Sequence, residues 1–147
     1  MSQLLLLATI AGRRCAFRAE DVQSVIETTN ITPIPRAQPH IAGLSALRSQ
    51  ALTVIDCRRA IGLNNSNYET DERVAVVSVG GHSFALQVDK VEEIATTDSE
   101  PTEVRGGFGK AWSEVAHGMV ETSFGPVLLI NVVPLVDGPA EQAAKAA

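Results

Sequence analysis

The chain has 147 residues, of which 45% are apolar and 20% charged, and its formal charge is −5 at neutral pH. This length and composition fit one ordinary folded domain or two very small ones. A protein that neutralises many phosphates needs a basic face, so the acidic balance argues against nucleic-acid binding and against adhesion to an anionic membrane surface.

The first apolar run, residues 4–10, is predicted to be a buried β-strand. It is far shorter than the roughly 20 residues that span a bilayer. No basic segment precedes it, as one would in a signal peptide, whereas Arg13 and Arg14 follow it. We therefore predict a cytoplasmic protein without direct membrane insertion. In that reducing compartment Cys15 and Cys57 are interpreted as small, buried, free hydrophobic residues.

An internal repeat runs through the chain. Residues 5–29 align with residues 74–98 at a constant offset of 69, and after an insertion residues 43–56 align with 118–131 at an offset of 75. Equivalent positions carry the same class of residue, as in the pairs Ile10/Val79, Gly12/Gly81, Ala16/Ala85, Phe17/Leu86, Glu20/Asp89, Val22/Val91, Val25/Ile94, Thr28/Thr97 and Gly43/Gly118.

Each half has the same predicted plan. Two apolar strands flank an Ala-Gly or Gly-Gly pair, which is typical of a β-hairpin. A short acidic segment follows, suited to one helical turn or a tight bend, and then a strand whose apolar residues lie three apart. A Pro-containing loop leads to a closing hairpin. In the first half the predicted strands and turns are 4–10, 14–18, 19–21, the Val22/Val25 strand and the hairpin around 49–50. In the second half they are 74–79, 83–88, 89–90, the Val91/Ile94 strand and the hairpin around 123–125.

Five short strands per unit with little helix predict an all-β protein of two small packed barrels rather than a βαβ sheet. A barrel of this size is marginal alone, so packing the two together stabilises both. We predict a single domain over 1–137, with repeats of approximately 1–67 and 68–137. The polar stretch 64–67 is the predicted linker, and 138–147 is predicted to be a frayed or disordered tail.

No motif predicts catalysis or metal binding. A nucleophilic Cys needs a nearby base that a third group orients, and although Cys57 follows Asp56, neighbours on a strand point to opposite faces. The histidines, His40, His82 and His117, are scattered and none lies within ten residues of a cysteine. Two alternatives from other functional classes stay open. One is a Cys-dependent enzyme that uses a long-range Cys–His pair, and the other is a barrel that binds single-stranded nucleic acid.

The glycine-rich stretch 105–110 resembles a phosphate-binding loop superficially. The Walker pattern needs a Gly five positions before Gly-Lys and a Ser or Thr after it. Val104 and Ala111 occupy those positions, so the match fails. We interpret the stretch as a connection, with Trp112 as its packing anchor in the core.

The segment Thr32–Arg48 continues into Leu52–Arg58 and resembles the CheW family. It has a Pro-rich approach, an Ile-x-Gly, an apolar-x-x-Leu-Arg, and a strand that ends in Ile-Asp-x-Arg. The resemblance covers about residues 4–137. Further family signatures follow in the expected order at Val22–Val25, Phe84–Val91, His117–Met119 and Leu128–Asn131.

The resemblance implies two SH3-like five-stranded β-barrels with short helical turns, packed side by side, in which one repeat lends a strand to the other. CheW proteins are non-enzymatic adaptors without a cofactor. They join the helical hairpin tips of chemoreceptors (methyl-accepting chemotaxis proteins) to the regulatory domain of the histidine kinase CheA in signalling arrays. A scaffold in a related kinase pathway, controlling surface motility or biofilm formation, is the alternative within this class.

Two sets of site residues are implied by the resemblance. The receptor-binding groove comprises Val22, Ser24, Val25, Arg48, Val91 and Ile94, and a kinase-binding or structural hairpin comprises Gly43, Leu47, Ser49 and Asp56.

Some of these residues have a simpler interpretation. For Val25 a role in the core stays equally open. The fork of donors on Arg48 can bind a carboxylate or carbonyl of a partner, or its aliphatic stem can lie along the hairpin. Ser49 stands where the family commonly has Gly, and Ser24 where an acidic residue is frequent, so both bear on partner preference rather than on the fold.

Overall fold

The computed structural model of the protein describes residues 2–28, 30–47, 50–63, 69–103 and 109–138. The predicted linker at 64–67, most of the glycine-rich stretch and the predicted tail beyond Gly138 lie outside these ranges. The strands are β1 (Gln3–Ile10), β2 (Arg13–Arg18), β3 (Val22–Glu27), β4 (Ile41–Leu47), β5 (Gln50–Asp56), β6 (Arg73–Val79), β7 (His82–Gln87), β8 (Lys90–Thr97), β9 (Ala116–Thr122) and β10 (Gly125–Ile130). The helical elements are a 3₁₀ turn (Ala19–Asp21), α1 (Cys57–Ala60), α2 (Gly109–Ser113) and α3 (Val132–Asp137).

The mostly β architecture confirms the predicted fold class, and the predicted hairpins have a physical basis in their turns. Ala11 and Gly12 join β1 to β2 with φ values of 52° and 78°, and Gly80 and Gly81 join β6 to β7 with φ values of 60° and 82°. Two successive positive φ values are required by the two-residue hairpin turn whose twist matches that of the strands.

The ten strands form two five-stranded sheets. Sheet A has the order β8-β1-β2-β10-β9 and sheet B the order β3-β6-β7-β5-β4. The strands of sheet B come from one continuous segment, 22–87, whereas sheet A is assembled from the segments on either side of it. Neither sheet therefore corresponds to one sequence repeat, because each sheet combines the first two strands of one repeat with the last three strands of the other. The chain crosses between the sheets at the 3₁₀ turn and again at Val88–Asp89.

Equivalent threonines connect the edge strands of each sheet. The hydroxyl of Thr97 in β8 donates a hydrogen bond to the carbonyl oxygen of Glu121 in β9. Thr28, directly after β3, shares a 2.8 Å hydrogen bond with the hydroxyl of Ser45 in β4. Each sheet is thus curved so that its two edge strands approach each other, and we refer to the two sheets as barrel A and barrel B.

Each barrel has a small apolar interior of its own, and the two interiors are built from repeat-related positions. The interior of barrel A contains Leu5, Leu7, Ala16, Ala95, Val120, Val127 and Leu129. The interior of barrel B contains Leu52, Val54, Val74, Val76 and Ala85.

The largest core lies between the barrels, where the opposite faces of both sheets meet. Phe17 and Leu86, a repeat-related pair, are both fully buried there. Burying one such side chain stabilises a fold by about 1.5–3 kcal/mol. Trp112 of α2 is 6% exposed and packs in the same core, which confirms its predicted role. No helix in the described ranges is long and apolar enough to span a bilayer.

Gly43 occupies a position that no other residue can adopt without rearrangement. It has a φ of 150° beside a bulge in β4, and a Cβ atom there would overlap the carbonyl oxygen of Thr32. Thr32 forms a bridge with Leu44 across this point. Gly118 repeats the arrangement in β9, with a φ of 151° and Thr102 in place of Thr32.

We expect Gly43→Ala to lower the free energy of unfolding by about 3 kcal/mol, because the substitution combines backbone strain with a clash against main chain. Gly62→Ala is the control: Gly62 has a φ of 89° but open space around its Cα, so only about 1 kcal/mol is expected. Urea unfolding followed by Trp112 fluorescence measures both. Equal losses in the two variants would contradict the steric role of Gly43.

Candidate functional site

The barrels are joined at the second crossing by the carboxylate of Asp89. Its oxygens accept hydrogen bonds from Nε and Nη2 of Arg58 in α1, at 3.0 and 2.8 Å. The same carboxylate accepts the backbone N–H of Gly12 in the β1–β2 turn. A helix between two strands of barrel B and a hairpin of barrel A are therefore held by one side chain.

Burial by itself would raise the pKa of Asp89. The hydrogen bonds from Arg58 and from the backbone of Ala11 and Gly12, together with the Arg58 charge, outweigh burial and hold the pKa below its ordinary value. Because the folded-state pKa is depressed, the carboxylate contributes stability above its unfolded pKa of about 3.9. That contribution is lost as the pH falls through the folded-state pKa.

Most residues of the predicted groove lie on β3 of barrel B and β8 of barrel A, both of which are edge strands of their sheets. Residues three apart on a regular strand point to opposite faces. A bulge in each strand changes this: Val22 and Val25 pair with Val77 and Ala75, both in the core between the barrels. Both valines therefore face that core.

The equivalent bulge in β8 gives the same result. Val91 and Ile94 pair with Ala8 and Leu6, which also belong to the core between the barrels. Val91 is buried and Val22 partly so, whereas Val25 and Ile94 are 40% and 57% exposed. The core thus continues outward as two exposed apolar side chains, one on each side of the groove.

The remaining residues of the predicted groove differ in their surroundings. Ser24 is exposed on β3, next to Val25. Leu4 of β1 is 53% exposed and pairs with Thr96 of β8, so it extends the apolar border beside Ile94. Arg48 lies outside the described residues.

Three of the predicted hairpin residues lie on β4 and β5 of barrel B. Leu47 packs partly against the interior of barrel B. Asp56 caps α1, since its side chain accepts the backbone N–H groups of Arg58 and Arg59. Gly43 has the backbone role given above, and Ser49 lies outside the described residues.

The cysteines are not placed for nucleophilic chemistry. Both are fully buried in the core between the barrels, as predicted. Burial raises the pKa of the Cys15 thiol to about 12, and it also raises the pKa of Cys57. Since the thiolate is the nucleophile, both thiols are inert at neutral pH. No group of His, Cys and acidic residues suited to a metal ion occurs among the residues that the structure describes.

A cavity of about 260 Å³ lies beside β8, with Leu7 and Val91 among its lining residues. Charged side chains also line it, and two of its arginines are already paired with carboxylates: Arg14 with Glu92 and Arg73 with Asp71. The volume is below the roughly 300–1,000 Å³ of typical small-molecule sites. The cavity is therefore a poor candidate for a small-molecule site.

The family model for the CheW-like domain matches residues 4–139. The chain belongs to the CheW-like domain family. The chemotaxis protein CheW of Thermotoga maritima is 22% identical to it over 125 residues, covering 83% of this chain and 80% of the relative. The CheW protein of Treponema pallidum is 19% identical over 119 residues, covering 76% and 68%. Among solved structures, the scaffolding protein TtCheW of Thermoanaerobacter tengcongensis superposes with a TM-score of 0.75 at 23% identity, covering 89% of this chain and 90% of that protein.

CheW membership confirms the resemblance found in the sequence and gives the chain the general role of an adaptor or scaffold.

Two features of the site were not predicted from the sequence. Asp89 was visible only as part of a Val-Asp-x-Val signature, and its repeat relation to Glu20 did not indicate an ion pair. Asp71 and Arg73, which contact the backbone of β8, carried no signal in the sequence.

We expect Arg58→Gln to lower the free energy of unfolding at pH 7 by about 2 kcal/mol, because it leaves a largely buried carboxylate with fewer donors. Arg59→Gln on the same helix is the control. The Arg59–Asp56 pair is more exposed and 3.7 Å long, so a change below about 0.5 kcal/mol is expected. Urea unfolding of both variants measures the difference. Equal losses of stability would contradict the role of the Arg58–Asp89 pair in joining the two barrels.

Asp89→Asn removes one of the groups whose folded-state pKa is depressed. The wild-type protein is expected to lose stability as the pH falls below about 4, and the variant to lose less over the same interval. Asp71, whose pKa is also lowered, contributes part of the pH dependence of stability in both proteins. Unfolding free energies measured between pH 6 and pH 2.5 test this, and parallel curves would contradict it.

Proposed function

We propose that this protein is a chemotaxis adaptor that couples the cytoplasmic helical tips of chemoreceptors to the regulatory domain of the histidine kinase CheA. The adaptor class follows from its family. The two partners are the proposal, and with them a location at the cytoplasmic face of receptor arrays.

The observation that carries the proposal is the exposure of Val25 and Ile94 on the face that both barrels otherwise bury. These two residues are equivalent in the repeat and lie on the two edge strands that border the groove. An amphipathic helix binds by laying an apolar stripe into such a groove. The apolar stripe of a receptor helix tip would pack against Val25 and Ile94, so the core between the barrels would extend into the interface.

The kinase is proposed to bind barrel B around the β4–β5 hairpin, on strands other than the two that border the groove. Leu44 in β4 is 38% exposed there. Two surfaces on different parts of the molecule would allow both partners to bind at the same time, as an adaptor requires.

We expect Val25→Ser and Ile94→Ser each to weaken binding of a receptor-tip fragment by about three- to tenfold, because each removes an apolar contact from the groove. Binding of the kinase regulatory domain should not change. Val133→Ser is the matched control, since Val133 is 51% exposed on α3. Titration calorimetry with each partner measures the affinities, which for small transient interfaces are expected to be micromolar.

Arg48→Glu tests the predicted partner contact of Arg48, because charge reversal at an interface arginine replaces attraction by repulsion. We expect it to weaken at least one of the two partners by about tenfold or more. If the intact wild-type protein bound neither the receptor tip nor the kinase domain at high micromolar concentration, the proposed function would be wrong.

A further inference from the structure

On the side away from β1, the backbone of Val91 is held by side chains and not by a neighbouring strand. β8 is an edge strand of sheet A, so one side of its backbone has no strand partner in that sheet. The N–H of Val91 donates to Oδ2 of Asp71 at 2.8 Å. The carbonyl oxygen of Val91 accepts from Nη2 of Arg73, also at 2.8 Å.

Asp71 and Arg73 hold each other in this arrangement. The backbone N–H of Arg73 donates to Oδ1 of Asp71 at 2.9 Å, and its Nη2 donates to Oδ2 at 3.1 Å. Arg73 is the first residue of β6 in barrel B, whereas Val91 belongs to barrel A. The pair therefore forms a clamp across the two barrels, defined here as Asp71, Arg73 and the backbone of Val91.

The repeat supplies an internal comparison. The positions equivalent to Asp71 and Arg73 are Ser2 and Leu4, and the position equivalent to Val91 is Val22. The N–H of Val22 bonds instead to the carbonyl oxygen of Ala19 within its own chain turn. The clamp is thus specific to one side of the groove, and it does not follow from the barrel fold alone.

We propose that Asp71 and Arg73 are positioning residues that fix the two borders of the groove relative to each other; this rests on the proposed receptor-binding function. Ile94 lies three residues beyond the clamped Val91 on β8. Val25 pairs with Ala75, two residues beyond Arg73 on β6. The clamp links β6 directly to β8, and β3 pairs with β6. It therefore holds the exposed side chains of Val25 and Ile94 at a fixed separation before a partner helix binds. Preorganisation of this kind lowers the entropic cost of association.

The test uses Arg73→Gln and Asp71→Asn in the full chain, with Lys90→Gln as a control. Lys90 carries the same charge as Arg73 and precedes Val91, and among the described residues it has no ion pair. We expect amide exchange at Val91 to become about tenfold faster in the two clamp variants, as loss of a charge-assisted hydrogen bond implies. Receptor-tip binding should weaken by about threefold or more, while binding of the kinase domain stays unchanged.

A second measurement does not depend on any partner. Spin labels at Val25→Cys and Ile94→Cys report the separation of the groove borders, and the buried native cysteines are not expected to react with the label. The distance distribution should broaden with Arg73→Gln and keep its width with Lys90→Gln. If Asp71→Asn failed to fold, as judged by circular dichroism, Arg73→Lys would replace it, with an intermediate effect expected.

The outcomes separate the clamp from the proposed function. Unchanged Val91 exchange and an unchanged label distribution would overturn the clamp. Faster exchange with full receptor affinity would overturn the positioning role and leave a purely structural contact. If the wild-type protein bound no receptor tip, the proposed function and the groove's role in it would be wrong, whereas a broadened distance distribution would still support the clamp as the joint between the barrels.

Discussion

One constraint organises the whole molecule: the chain must cross twice between two barrels that share a core. Barrel B comes from one continuous segment and barrel A from the segments on either side of it. Neither barrel has a large interior of its own, and the largest set of buried residues lies between them. Asp89 stands at the second crossing and binds groups from both barrels. Its low pKa reflects how completely its charge is compensated there.

The groove is a consequence of this arrangement. Because the first two strands of each repeat join the last three of the other, β3 and β8 become edge strands on either side of the boundary between the sheets. Their bulges turn residues three apart to the same face, so the buried pair Val22/Val91 is followed by the exposed pair Val25/Ile94. Edge strands invite unwanted strand pairing. On the β8 side the Asp71–Arg73 clamp occupies part of that edge, and it does so without covering Ile94.

Much of the local structure could be predicted from the sequence. The Ala-Gly and Gly-Gly pairs gave the two hairpins, because two-residue turns require positive φ values that glycine adopts readily. The apolar runs predicted the strand bounds within about a residue. The three-residue spacing of Val22 and Val25 was visible, but its cause, a bulge, was not.

The exchange of strands could not be read from the residues, and the reason is physical. Val22 and Val91 are equivalent, so β1 would find the same apolar partner positions on β3 as on β8. Local pattern cannot choose between two pairings that bury the same groups. The clamp was equally hidden, since a side chain that bonds distant backbone leaves no periodic signal. The functional assignment of the groove residues came from the family resemblance and stays a prediction.

Chemical-shift mapping by NMR during titration with a receptor-tip fragment tests the central claim most directly, because it locates the contact without altering the protein. The account predicts that the largest changes fall at Val25, Ile94 and their neighbours on β3 and β8, on both sides of the groove. Changes confined to the β4–β5 hairpin or to the outer faces of the barrels, with none at Val25 and Ile94, would contradict it.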